Sequence, residues 1–202
     1  MIIKNKYATF VVHKVISKAY PVVQVWTAPD APSATAVLAA TLLTTAVQSI
    51  TTNITNPDFP RLLSVTGGDG NVTGDVVIVG TNIRGEAITD TIASNGAATV
   101  AGVKAFKSIT SISLPVYAVA DTETISVGIT DKLGLQSIPV STTVISEDSA
   151  NAADTGGAIL TRDADEIEKC VVDPTTECDA SNELAIVYIS VELPAKVGGY
   201  TE

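Results

Sequence analysis

The feature that most constrains this chain is a short-range alternation of apolar and small polar residues, cut at regular intervals by turn formers. Asp75–Thr81 reads Asp-Val-Val-Ile-Val-Gly-Thr, Glu86–Ala93 sets Ile88 and Ile92 among threonines, and Lys107–Leu114 sets Ile109, Ile112 and Leu114 among Ser and Thr. Successive side chains of a strand point to opposite faces, so this pattern makes half-buried strands, and β-branched residues fit such a pleated surface. Between the runs lie Gly67–Gly74, Asn82-Ile-Arg-Gly85 and Asn95-Gly96, residues that tolerate positive φ or cap turns. The predicted strands are Leu62–Thr66, Asp75–Thr81, Glu86–Ala93, Lys107–Leu114, Thr122–Ile129, Thr142–Ser146 and a closing strand Leu184–Leu193. Turns about every eight to twelve residues point to an all-β fold, not to βαβ units. The expected fold is an antiparallel β-sandwich or jelly-roll-like domain with an extended N-terminal arm.

The arm is set off by Ala28-Pro-Asp-Ala-Pro-Ser33, two prolines in a stiff extended stretch. Residues 1–32 are therefore predicted to leave the body and lie on a neighbouring subunit, with Phe10, Val12 and Trp26 as an apolar face. Residues 33–193 form the sandwich domain and 194–202 a loose tail. Ala-rich Val37–Val47 fits a helix as well as a strand, whereas the threonines from Thr44 onward favour extended chain. Asn56-Pro-Asp-Phe-Pro60 is a turn by composition.

Hydrophobic residues make up 46% of the 202 residues and charged residues only 17%, which gives a core and excludes a disordered chain. The net charge is −10, unevenly placed. Residues 1–146 hold nine basic and nine acidic residues; residues 147–202 hold three basic and thirteen acidic ones. Residues 147–183 are accordingly predicted to be a solvent-facing acidic excursion inserted before the closing strand. An acidic surface repels phosphates, so nucleic acid is not expected as a partner. The most apolar run, Ala34–Val47, is short and carries four threonines, and no membrane span is expected. Met1-Ile-Ile-Lys-Asn-Lys does not read as a secretory signal, which predicts synthesis and assembly in a cytoplasm. The sequons Asn53-Ile-Thr55 and Asn71-Val-Thr73 are then incidental.

Residues able to carry chemistry are sparse. His13 is the only histidine, and no Gly-x-Ser-x-Gly elbow accompanies it. The Gly67–Gly74 loop lacks the Gly-Lys-[Ser/Thr] ending of a phosphate cradle. Asp163, Asp165, Glu166 and Glu168 could offer oxygen ligands to Ca²⁺, but the glycine and the spaced glutamate of an EF-hand are missing. A solvated acidic loop is the expected reading. Cys170 and Cys178 bracket Val-Val-Asp-Pro-Thr-Thr-Glu and could be bridged across that turn or free; Cys-x-x-Cys spacing is absent. No catalytic, cofactor-binding or metal-ligating residue is assigned.

Phe59-Pro-Arg-Leu-Leu-Ser-Val-Thr-Gly-Gly68, Gly74-Asp-Val-Val-Ile-Val-Gly-Thr-Asn-Ile-Arg-Gly-Glu-Ala-Ile-Thr-Asp-Thr-Ile92, Lys104-Ala-Phe106 and Lys132-Leu-Gly-Leu135 resemble, in order and spacing, a group of tailed-bacteriophage virion proteins. The resemblance covers about residues 57–138, with an echo in Val187-Tyr188-Ile189. These are head decoration or cement proteins and unassigned structural proteins, without a catalytic motif. The resemblance implies a non-enzymatic capsid decoration protein that binds the outer head surface and stabilises neighbouring capsomers. Its partners would be the major capsid protein and copies of itself in a homo-oligomer, and its location the virion assembled in the host cytoplasm. The alternatives are a tail, baseplate or fibre component, or a bacterial surface adhesion or carbohydrate-binding module. Aromatic residues at 4%, and the lack of repeats or heptads, fit these less well.

Overall fold

A computed structural model describes residues 2–4, 9–11, 19–119, 122–149, 152–153 and 157–191, with backbone alone for 2–4, 9–11 and 152–153. The strands in chain order begin with β1 (Ile2–Lys4), β2 (Thr9–Val11), β3 (Tyr20–Trp26), β4 (Ser33–Leu42), β5 (Gln48–Ile50) and β6 (Arg61–Gly67). They continue with β7 (Thr73–Thr81), β8 (Ala87–Asn95), β9 (Thr99–Phe106), β10 (Ser108–Leu114) and β11 (Thr124–Gly134). The last are β12 (Pro139–Ser149), β13 (Ala152–Ala153), β14 (Ile159–Thr161), β15 (Val171–Asp173) and β16 (Leu184–Ser190). The only helical piece among the described residues is a single 3-10 turn, Ile167–Lys169. All described pairings are antiparallel, so the all-β expectation holds.

The alternation seen in the sequence is realised in β7 and β8. Val76 and Ile78 on one, Ile88 and Ile92 on the other, point inward, while Thr89 and Thr91 stay outside. Asn82 closes the hairpin: its Oδ1 accepts the N–H groups of Arg84 (2.9 Å) and Glu86 (3.1 Å), and Gly85 takes φ 82°. The sheet ordered β5-β10-β7-β8 packs on a second sheet built around β6 and β11. Val76, Ile78, Ile88, Phe106 and Ile112 meet Val37, Leu38, Leu63, Val65, Ile125 and Val127 in one core. Asp90 fastens one rim of this sandwich. Its buried carboxylate on β8 accepts the N–H groups of Val103 (2.8 Å) and Lys104 (3.2 Å) on β9, in the facing sheet.

The strand β11 is the spine of the molecule. One edge pairs with β6; the other pairs with β4 along Thr124–Ile129 and with β15 at Leu133–Gly134. The chain allows β4 this close because residue 128 is glycine: a Cβ there would stand 2.0 Å from the Ser33 carbonyl oxygen. The first half of β11 feeds Ile125, Val127 and Ile129 into the sandwich core. Its far end, with Leu135 beyond it, feeds a second core under the sheet ordered β13-β12-β16-β3, where Leu133 and Leu135 meet Val22, Trp26, Leu184, Ile186 and Tyr188.

Two expectations are corrected, and one open choice is decided. First, Tyr20–Trp26 is no part of an outlying arm: it pairs with β16 from Trp26↔Leu184 to Tyr20↔Ser190, and Trp26 is 1% exposed. The proline stretch after it is pinned to the body, with Arg61 Nη1 donating to the Asp30 carbonyl (2.9 Å) and Ala180 N–H to that of Pro29 (2.8 Å). Second, residues 147–183 are no mere solvated excursion. Leu160, Ile167, Cys170, Val171, Val172 and Cys178 are buried there, because β14 and β15 extend the large sheet and the turn at 167–169 covers it. Third, Ser33–Leu42 is strand, so the helical option for the Ala-rich run falls; hydrogen bonding to β11 outweighs alanine's helix propensity. The closing strand ends at Ser190, and residues 194–202 lie outside the described residues.

Candidate functional site

The acidic run after Arg162 is bound up in local pairing. Asp163 Oδ1 accepts the N–H groups of Asp165 (2.9 Å) and Glu166 (3.0 Å), and these two bonds hold its carboxyl below the usual carboxylate range. Glu166 pairs with Lys169 and with Lys104 Nζ (3.3 Å), Lys169 first, which lowers the carboxyl and raises the ammonium. Glu168 reaches Lys104 Nζ (3.6 Å) and accepts from Asn82 Nδ2 (3.3 Å). The acids thus clamp the 167–169 turn onto β9 and the β7–β8 hairpin. Among the described residues, no three His, Cys, Asp or Glu side chains cluster in a way that could hold a metal ion.

Both cysteines are buried thiols outside any disulfide. Cys170 Sγ donates to the Asp163 carbonyl (3.2 Å), and Cys178 Sγ to that of Asp131 (3.8 Å). Burial pushes the Cys178 thiol up from 9.0 to about 11, the opposite of what a reactive thiolate needs. His13 lies outside the described residues. The Gly67–Gly74 loop spends its N–H groups inside the protein, Gly68 on the Thr124 carbonyl (2.8 Å) and Asn71 on Asp69 Oδ1 (2.7 Å).

Other buried polar groups serve as fasteners. Glu147 accepts from Ala158 N (2.9 Å), Thr175 N (2.8 Å) and Thr175 Oγ1 (2.6 Å), joining β12 to the 157–176 segment. Gln24 donates from Nε2 to the Gly134 carbonyl (3.0 Å) and accepts from Gln136 N (2.9 Å), while the hydroxyls of Tyr188 and Ser137 meet at 2.9 Å. Arg61, fully buried, has Nη2 3.3 Å from Asp58 Oδ2 and Nε 3.2 Å from Oδ1, the latter an ion pair outside hydrogen-bond geometry. Each of these groups bonds backbone or side chains of the scaffold. Neither Gln24 nor Glu147 carries a local signal in the sequence, since their partners lie far along the chain.

Open grooves mark the surface of the described residues. One, of about 230 Å³, is lined by Leu62, Val103 and Val171 together with Lys132, Arg162 and Lys169. Its charges are already matched: Lys132 to Asp173 (3.2 Å), Lys169 to Glu166, and Arg162 Nε to the Pro139 carbonyl (2.6 Å) with Asp163 beside it. Another, of about 240 Å³, is lined by small residues such as Ser33, Ala34, Ser64 and Thr99. Protein-family models, curated proteins and solved structures contain no match to this chain.

The strongest surface feature is the outer face of the β3–β16 pair. Val22, Gln24 and Trp26 turn inward, which leaves Val23 62% and Val25 47% exposed. They stand opposite Val187 and Ala185, with Pro21 opposite Ile189, so cross-strand neighbours make one apolar strip. Ile145, at a bulge on β12, is also exposed. Among the described residues β3 has no partner on its other edge. A bare apolar face beside an open strand edge is what soluble monomers avoid. The sequence pointed to Trp26 as the exposed side; the exposed residues are its neighbours of opposite parity.

Proposed function

We propose that this chain is a virion structural protein of the capsid decoration or cement type, acting by surface contact with the major capsid protein and with copies of itself. The observation that carries this is the solvent-facing apolar strip of Pro21, Val23, Val25, Val187 and Ile189 beside the open edge of β3. Such a surface makes the chain complete only in an assembly. The polar groups a chemist would first consider, Asp163, Glu166, Glu168, Glu147 and Cys178, are held by scaffold partners, which suits a rigid module better than a reaction centre. The segments that resemble phage virion proteins form β6, β7, β8, the end of β9 and the far part of β11, the body of the sandwich. The acidic balance favours the outside of a shell over contact with packaged nucleic acid.

The test is co-sedimentation of the purified chain with empty capsid shells of the phage that carries this gene. Saturable binding at a fixed number of copies per capsomer, with shells that withstand higher temperature, is the expected result. Binding to tails or baseplates and not to shells would replace the reading with a tail component, and binding to neither would end it.

A further inference from the structure

The apolar strip on β3 and β16 needs an occupant, and the chain supplies one. We propose that this face is the seat of residues 1–18 of a second copy, so that copies are linked by exchanged N-terminal segments. The proposal rests on the assembly reading above and names one of its contacts.

Four observations carry it. First, residues 1–18 are apolar enough to need cover: Ile2, Ile3, Tyr7, Phe10, Val11, Val12, Val15 and Ile16 alternate loosely with lysines. Their backbone forms the two-stranded hairpin β1–β2, from Ile2↔Val11 to Lys4↔Thr9, and an isolated pair of strands is marginal in water. Second, the charges complement one another. Residues 1–18 hold four lysines and no acid, whereas Asp148, paired with Ala185 beside the strip, and Glu183 just before β16 are acidic. Third, β3 is regular strand up to its first residue. Pro21 favours extended backbone at Tyr20, and Tyr20 is already paired with Ser190 as strand. Fourth, Val12-His-Lys-Val-Ile-Ser-Lys-Ala19 contains no Gly, Pro, Asn or Asp with which to turn back over its own sheet. Eight residues can span up to about 26 Å, enough to reach a neighbour's face. Reciprocal exchange closes a two-fold pair; successive exchange links a row of copies.

The full-length chain is used for the test. Two differently tagged variants, Phe10→Cys and Val25→Cys, are co-expressed and mildly oxidised; native Cys170 and Cys178 are buried and stay out of the reaction. The expected product is a covalent dimer carrying both tags. A second variant, Val23→Lys with Val25→Lys, changes only exposed positions, so its circular-dichroism melt should match the parent while light scattering shows loss of the oligomer. The proposal is overturned if no mixed-tag product forms, if a Phe10→Cys/Val25→Cys chain cross-links only within itself, or if the lysine variant keeps its oligomeric mass. A chain that is monomeric yet saturates capsid shells refutes the exchange and leaves the decoration reading standing. Mixed-tag cross-links in a chain that ignores shells support the exchange and refute that reading.

Discussion

Replacing Trp26 by Ala tests whether β3 belongs to the body. The indole is 1% exposed and lies in a core with Val22, Leu133, Leu184, Ile186 and Tyr188. Truncating a buried aromatic removes its transfer free energy and leaves a cavity, together about 4 kcal/mol. A domain of this size has on the order of 5–15 kcal/mol to lose and shifts its Tm by about 2–4 °C per kcal/mol. The melting temperature should therefore fall by about 8–16 °C, read from the β-sheet band in circular dichroism because the variant has no tryptophan left. In the parent, this single tryptophan should emit at short wavelength and resist acrylamide quenching. A side chain on an outlying arm would behave otherwise, with a Tm change under about 2 °C and emission like that of free indole. Either result would remove β3 from the fold and with it the surface proposed for assembly.

Glu147→Ala strands the Ala158 and Thr175 N–H groups and the Thr175 hydroxyl, and should cost about 3 kcal/mol in urea unfolding. Hydrogen exchange in that variant should rise first across 157–176; a uniform rise along the chain would mean that Glu147 is not the local fastener. The Cys178 thiol predicts the alkaline limb of stability. Its folded value of about 11 lies above the unfolded 9.0, so the folded state binds that proton more tightly. The contribution is complete below about pH 9 and lost as pH rises through about 11, and Cys178→Ala should flatten that limb. Thiol reagent at pH 8 should find neither cysteine until the protein unfolds, and rapid labelling of the native state would contradict their burial.

The local part of this fold was legible in the residues themselves. Alternation around Val76–Ile78 and Ile88–Ile92, and the turn at Asn82–Gly85, act over a few residues, where side-chain parity and backbone preference decide the outcome. What joined the ends of the chain was decided by tertiary structure. The stretch Ala28–Ser33 is as stiff as its prolines require, yet Arg61 and Ala180 hold it against the body through carbonyls of Asp30 and Pro29. Residues 147–202 carry −10 net in the sequence, but Lys104, Lys169 and backbone N–H groups from the folded neighbourhood meet several of their acids. The exposed strip shows the limit most clearly. Val22, Gln24 and Trp26 alternate with Val23 and Val25, so both faces of β3 look able to enter a core. The choice falls to β16, which arrives from the other end of the chain and places Leu184, Ile186 and Tyr188 on the side of Trp26. A strand's own residues set its two faces; only the partner that covers one of them determines which face is left to meet another molecule.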